Sequence, residues 1–90
     1  MGTKNNPGEF DCYANADRDE PLFVLRAKDK SAPDVVRHWA YQYKLRKEQA
    51  NGKGKGDGPQ PLTPDQRRKY LEALDCADQM AEWYNLNREE

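Results

Sequence analysis

The sequence predicts a mainly α protein: an antiparallel helical hairpin with a short N-terminal helix or strand packed on it. Residues 31–49 and 63–84 each repeat apolar residues at helical spacing, and each range begins with a capping pattern. Between them, residues 51–62 contain four Gly and two Pro, a composition typical of a loop. Helices joined by a loop of this length usually lie antiparallel.

The chain before the hairpin carries weaker signals. Residues 1–8 are polar and end in a turn pattern, so we expect them to be disordered. Residues 9–16 alternate in polarity, which permits a short strand. In residues 21–28 the apolar run 22–25 is too short to distinguish a helix from a strand. Both remain open there, with a short helix capped by Asp19 slightly favoured.

The first long helix is predicted from Ser31 to about Gln49. Ser31 is placed to cap it, Pro33 suits the first turn, and Asp34 can complete a capping box. The sequence Asn51-Gly52 is expected to stop it. One side carries an apolar stripe of Val35, Val36, Trp39, Ala40 and Tyr43, and the opposite side carries His38, Tyr41 and Leu45.

The second long helix has the strongest local start signal in the chain. Thr63 is a cap, Pro64 suits the first helical position, Asp65 suits the helix dipole, and Gln66 closes a capping box. Its apolar face consists of Tyr70, Ala73, Leu74, Ala77, Met80, Ala81 and Tyr84, with Cys76 and Trp83 on one flank.

We expect the two apolar faces to pack together and the run 22–25 to cover the flank of Cys76 and Trp83. Tyr41 and Leu45 then face away from the contact between the helices. With Trp83 they are the candidate interface residues, for a homodimer or another protein contact. The alternative is that one Tyr and one Leu are simply exposed.

Composition limits the class of protein. Ninety residues form one small domain, expected over 9–86, with a tail at 87–90. The chain is 36% hydrophobic and 34% charged, with a mean hydropathy of −1.26, so its stability margin is thin and self-association would cover residual apolar surface. It has no long apolar run and no signal-peptide pattern, so we expect a cytoplasmic protein that contacts no membrane, with Cys12 and Cys76 reduced.

The net charge of −1 is unevenly distributed. Residues 26–69 contain twelve Lys and Arg against five Asp and Glu, whereas residues 1–25 and 70–90 are both acidic. In an antiparallel hairpin the basic residues gather at the loop end, and the candidate ligand-binding residues are Arg46, Lys47, Lys53, Lys55, Arg67, Arg68 and Lys69. Basic residues at 67–69 oppose the preference of a helix start for anions, which indicates an anionic ligand. The alternative is a solvated basic face.

Other chemistry is poorly supported. The glycine-rich loop lacks the Lys-Ser/Thr ending of a phosphate-binding loop and follows a helix. His38, Cys12 and Cys76 are too few for a structural zinc site. We therefore predict a protein that is not an enzyme and has no catalytic residues, metal or cofactor. A pI of about 5.8 also argues against binding of extended nucleic acid.

A scattered pattern runs through residues 9–84: Phe10-Asp11-Cys12-Tyr13, Asp19-Glu20-Pro21, Phe23-Val24-Leu25-Arg26-Ala27, Asp29, Ala32-Pro33, Val36, Trp39-Ala40, Cys76-Ala77, Met80 and Trp83. This pattern resembles small proteins of unknown function encoded in bacteriophage and prophage genomes, with the Gly/Lys loop as a variable insert. The resemblance implies the cytoplasm of a bacterial host and an accessory role such as host takeover or counter-defence. It assigns no catalytic residue.

Three functional hypotheses follow from these observations. The first is a self-associating phage accessory protein that holds a nucleotide or other anionic small ligand at its basic end. The alternative is a protein inhibitor of a host enzyme, which needs no small ligand. The second alternative is a small nucleic-acid-binding protein, whose affinity would fall steeply with salt.

Overall fold

The computed structural model describes residues 1–54, 56 and 58–87. Over these residues the chain forms α1 (Cys12–Asn15), α2 (Ala32–Gly52) and α3 (Pro64–Asn87), and no strand. The predicted mainly α class is confirmed. The candidate ligand residue Lys55 lies outside the described residues.

Helices α2 and α3 pack against each other as an antiparallel pair. Near the loop, the side-chain amide of Asn51 donates to Gln66 Oε1 at 2.7 Å. Towards the other end, Arg37 of α2 pairs with Asp78 of α3 at 3.0 Å. Since the end of α2 meets the start of α3 and the start of α2 meets the middle of α3, the predicted hairpin is confirmed.

The start of α3 forms the predicted capping box. The Gln66 amide donates to Thr63 Oγ1 at 3.3 Å, and the Thr63 amide donates to Gln66 Oε1 at 3.0 Å. Because Gln66 Oε1 also accepts from Asn51, the same group that starts α3 ties it to the end of α2.

The start of α2 differs from the prediction. Ser31 is the N-cap residue, but its backbone is already helical (φ −84°, ψ −11°) and its side chain makes no capping bond among the described residues. The hydroxyl and amide of Ser31 both donate to Asp29 Oδ1, at 2.8 and 2.9 Å. An ionised acceptor competes well for these donors, and the two bonds lower the pKa of the Asp29 carboxyl. Asp34 accepts from Arg37, so the predicted capping box is wrong.

Helix α2 ends three residues later than predicted, at Gly52. The Gln60 amide donates to the carbonyl of Glu48 at 3.0 Å, which folds the loop back over the helix end. A β-carbon at residue 52 would collide with the carbonyl oxygen of Gly58. Glycine at residue 52 therefore allows the helix to extend beneath the returning loop.

The short N-terminal helix forms at a different position from the one predicted. The strand permitted at residues 9–16 is replaced by α1, whose N-cap Asp11 accepts from the Tyr13 amide at 3.1 Å. Residues 21–26 form neither helix nor strand, so the helix slightly favoured there is wrong. The described chain offers no strand to pair with residues 21–26, and Phe23 and Val24 are 86% and 72% exposed. Residues 21–26 therefore gain little from packing to offset the entropy cost of ordering a helix or strand.

The N-terminal segment nevertheless lies along α3. Glu72 accepts from the amides of Glu9 and Phe10 at 2.9 and 3.2 Å. The amino group of Met1 donates to the Phe10 carbonyl at 2.6 Å and lies 3.5 Å from the Glu72 carboxylate. These contacts attach residues 1–10 to the hairpin through one acidic side chain, while the disorder expected for residues 1–8 stays a prediction.

The contact between α2 and α3 is built from small residues. Among the described residues, the buried hydrophobic side chains are Ala32, Ala40, Tyr43, Ala73 and Ala77. Alanine lets two helix backbones approach closely but buries little apolar area. Apart from Tyr43, the larger side chains lie mainly on the flanks of the hairpin, where Trp39, Tyr41, Leu71 and Trp83 are all exposed.

The alanine contact predicts the effect of enlarging one side chain. Ala77→Leu should lower the free energy of unfolding by about 1–3 kcal/mol, because the buried site has no room for a larger residue. The matched control Ala50→Leu, at an exposed position of α2, should change it by less than about 0.5 kcal/mol. Urea unfolding followed by circular dichroism measures both, and equal effects would contradict the alanine contact.

Candidate functional site

The six candidate ligand residues that the structure describes differ in what they contact. Arg68 is directed at acidic side chains: it lies 3.2 Å from Glu9 and also pairs with Asp65. Its hydrogen bond to Glu9, followed in importance by the one to Asp65, raises the pKa of Arg68 above its ordinary value. Its charge is balanced within the chain, and it holds the N-terminal segment to α3.

Lys69 is engaged with aromatic rings. Its Nζ lies 5.4 Å from the ring centre of Tyr43, 5.8 Å from that of Trp39 and 6.0 Å from that of Phe10. Trp39 and Tyr43 stack with ring centres 5.2 Å apart. A cation over aromatic faces is attracted by their electron density. Lys69 thus joins α2, α3 and the N-terminal segment.

Lys47 approaches the same aromatic group, with its Nζ 5.7 Å from the Tyr43 ring centre. Burial raises the pKa of the Tyr43 phenol, so the ring stays neutral across the physiological range. Lys47 and Lys69 therefore share one aromatic neighbour, and their charges are partly used in holding the hairpin together.

The remaining basic candidates are exposed. Arg46 and Lys53 line a depression of about 450 Å³ beside the loop, together with the backbone of Gly52 and Gly58. Arg67 is exposed near the start of α3. Over the described ranges, none of these three forms an ion pair with a carboxylate.

Two of the candidate interface residues belong to a strip on one flank of the hairpin. Tyr41 is 56% exposed and Leu45 is half-buried. Because Arg37 contacts Asp78, the residues one and two helical turns further on in α2, and one and two turns back in α3, lie on the same flank. We define the apolar strip as Tyr41, Leu45, Leu71 and Leu74.

Two of the cations beside the apolar strip are paired with carboxylates of the same chain. Arg37 lies 3.0 Å from Asp78 and 3.3 Å from Asp34. Lys44 donates to Glu48 at 2.9 Å, and this bond raises the pKa of Lys44. Sequence reasoning found Tyr41 and Leu45 but missed Leu71, which the helix pairing brings to the same side.

The third candidate interface residue, Trp83, lines a different surface. A groove of about 860 Å³ runs between the N-terminal segment and α3. Its apolar walls are Val24, Leu25, Cys76, Met80 and Trp83. Val24 and Leu25 of the run 22–25 thus lie beside the Cys76 and Trp83 flank, but they leave a groove instead of the cover that was expected.

Basic side chains also line this groove, which we call the apolar groove. Lys4, Arg26 and Lys28 border it, and Asp11 is the one acidic residue among the described residues that line it. The Asp11 carboxylate already accepts from the Tyr13 amide. The groove therefore carries a net positive charge that the sequence did not reveal, because residues 4, 26 and 28 are brought together only by the path of the N-terminal segment.

Other chemistry-bearing residues are dispersed. His38 and Cys12 are exposed, Cys76 is half-buried, and both thiols are free. The part of the chain that the structure describes holds no group of three or more potential metal ligands and no helix long and apolar enough to cross a membrane. Comparisons with protein-family models, curated proteins and solved structures gave no match.

The position of Lys69 predicts a structural role. Lys69→Ala should lower the free energy of unfolding by about 1–2 kcal/mol, because it removes a cation and its methylenes from three rings. Arg46→Ala, at an exposed position, should have an effect below about 0.5 kcal/mol. Urea titration followed by tryptophan fluorescence compares the two. A negligible effect of Lys69→Ala would show that the aromatic contacts contribute nothing.

Proposed function

We propose that this chain is a non-catalytic protein-binding module whose apolar groove receives an amphipathic helix from a partner protein. The observation that carries the proposal is the chemistry of the groove: apolar walls including Trp83 and Met80, bordered by Lys4, Arg26 and Lys28. The partner helix would present apolar side chains to the walls and acidic side chains to the border.

The walls suit this kind of recognition. Helix-in-groove complexes insert apolar side chains spaced three or four residues apart into a hydrophobic groove. Tryptophan frequently supplies a large share of binding energy, and methionine adapts to differently shaped partners. Trp83 and Met80 are three residues apart on α3, so they line the same stretch of the groove.

The charge on the border selects the partner. Among the described residues, Lys4, Arg26 and Lys28 form no ion pair with a carboxylate. Opposite charge at the edge of an interface accelerates association, and like charge rejects wrong partners. An acidic amphipathic helix is therefore preferred over a basic one. The resemblance to phage proteins supports a host protein as the source of that helix, which makes host takeover or counter-defence the proposed role.

Two synthetic amphipathic peptides test this proposal. They share one apolar stripe and differ in carrying Glu or Lys on the flanking positions. The Glu peptide should bind at least about tenfold more tightly, a difference of about 1.4 kcal/mol, in fluorescence anisotropy at low salt. The double variant Arg26→Glu/Lys28→Glu should reverse the preference, because it inverts the charge of the groove border.

Matched variants locate the binding surface. Arg18→Glu changes an exposed basic residue that does not line the groove, and it should leave both affinities unchanged. Trp83→Ala should weaken binding of the Glu peptide by about tenfold or more. Equal binding of the two peptides, or no loss with Trp83→Ala, would contradict the proposal.

Binding of an anionic small ligand at the loop end is the second candidate function. It is supported by the depression that Arg46 and Lys53 line beside Gly52 and Gly58. Arg67 is a third exposed cation, near the start of α3. Lys47, Arg68 and Lys69 do not support this hypothesis, because their charged groups contact aromatic or acidic groups of the same chain.

A thermal-shift panel of mono-, di- and cyclic nucleotides tests this second candidate. A ligand at about 100 times its Kd adds about 2.7 kcal/mol, which raises Tm by several degrees in a domain of this size. The double variant Arg46→Glu/Lys53→Glu should abolish the shift, while Arg18→Glu should retain it. The absence of any shift across the panel would reject the loop-end site.

A further inference from the structure

We infer that the apolar strip is the contact between two copies of this chain, which pair about a two-fold axis with their α3 helices antiparallel. The strip combines side chains from both long helices, and its two most exposed members are Tyr41 and Leu71, at 56% and 48%. This surface lies on the flank marked by the Arg37–Asp78 pair, and the residues of the strip do not line the apolar groove.

The charge around the strip suits a second copy. In a two-fold contact each surface meets an identical one, so a net charge would repel itself. Arg37 and Lys44 beside the strip are paired with Asp78 and Glu48 of the same chain. The apolar groove, with its three cations, would suffer that repulsion. The strip is thus the better surface for self-association and the groove for a different partner.

The order of charges along α3 sets the orientation. Arg67 lies one helical turn before Leu71, and Asp78 lies one turn after Leu74, all on the same side of the helix. When two α3 helices run antiparallel with Leu71 of each copy beside Leu74 of the other, Arg67 of each copy approaches Asp78 of the other. Asp78 would then lie between Arg37 of its own chain and Arg67 of the other copy. The contact then has an apolar centre between two ion pairs.

The available area is adequate for a specific contact. Helix α2 has 21 residues and α3 has 24, so the shorter helix is about 30 Å long. Two adjacent helices of that length present a face of about 600 Å² per copy, or about 1,200 Å² in total, at the lower end of specific interfaces. The resulting arrangement is an antiparallel four-helix bundle.

Sedimentation equilibrium tests the inference on the full chain. The wild-type protein should sediment at about twice its chain mass of 10.4 kDa at micromolar concentration. Leu71→Glu should weaken dimerisation at least about tenfold, whereas the matched control Leu86→Glu, at an exposed position near the end of α3 outside the strip, should not. A monomeric wild type, or equal behaviour of the two variants, would overturn the inference.

A charge exchange tests the orientation and does not depend on whether Leu71→Glu folds. Arg67→Glu and Asp78→Lys should each weaken dimerisation, since each brings like charges together at both ion pairs. Mixed in equal amounts, the two variants should form a heterodimer of nearly wild-type affinity. One ion pair then joins the two substituted side chains, and the other joins the two native ones, so both pairs again combine opposite charges. Failure of the mixture to regain dimer mass would overturn the antiparallel pairing. These measurements use no peptide, so they are independent of binding at the apolar groove.

Discussion

The close contact of α2 and α3 through alanine is the constraint on which the rest of this structure depends. Ala40, Ala73 and Ala77 are fully buried between the helices, and their small size places the two backbones close together. Tyr43 is the one large side chain buried with them among the described residues, and Trp39, Leu71 and other apolar residues lie on the flanks. The hairpin consequently has a narrow core and two partly apolar outer surfaces. Since burying alanine contributes much less hydrophobic free energy than burying leucine, the stability of the chain depends on what those flanks contact.

On one flank the missing contacts are supplied by the N-terminal segment. Glu72 accepts two backbone amides from it, Arg68 pairs with Glu9, and Lys69 lies close to the rings of Phe10 and two α2 aromatics. These interactions engage Arg68 and Lys69, two residues that the sequence predicts to bind a ligand. The basic character of residues 67–69 is therefore largely structural at Arg68 and Lys69. The same segment, by lying beside α3 without sealing it, creates the apolar groove.

Local rules were sufficient where the interaction partners are close in sequence. The Thr63 and Gln66 capping box, the two long helices and their antiparallel order were all predictable, because spacing and a short loop determine them. The role of Ser31 was not, since Asp29 offers a charged acceptor that competes with the helix amides. The contacts of Lys69 with Trp39 and of Arg68 with Glu9 join residues more than twenty positions apart, which local rules do not address. The convergence of Lys4, Arg26 and Lys28 likewise follows from the path of an irregular segment, for which periodicity gives no information.

The proposed dimer offers a physical reason for the uneven charge of the sequence. Residues 26–69 carry an excess of Lys and Arg, while residues 70–90 are strongly acidic. Each hairpin therefore has a basic loop end and an acidic opposite end along α3. Two copies with antiparallel α3 helices would place the basic end of each beside the acidic end of the other, so that the charge asymmetry of one copy offsets that of its partner. A parallel pairing would bring like ends together and be disfavoured by the same charges. The charge pattern that suggests a ligand site in a single chain thus has a second use, as the determinant of how two chains are oriented, and that use leaves the apolar groove of each copy open to a different protein.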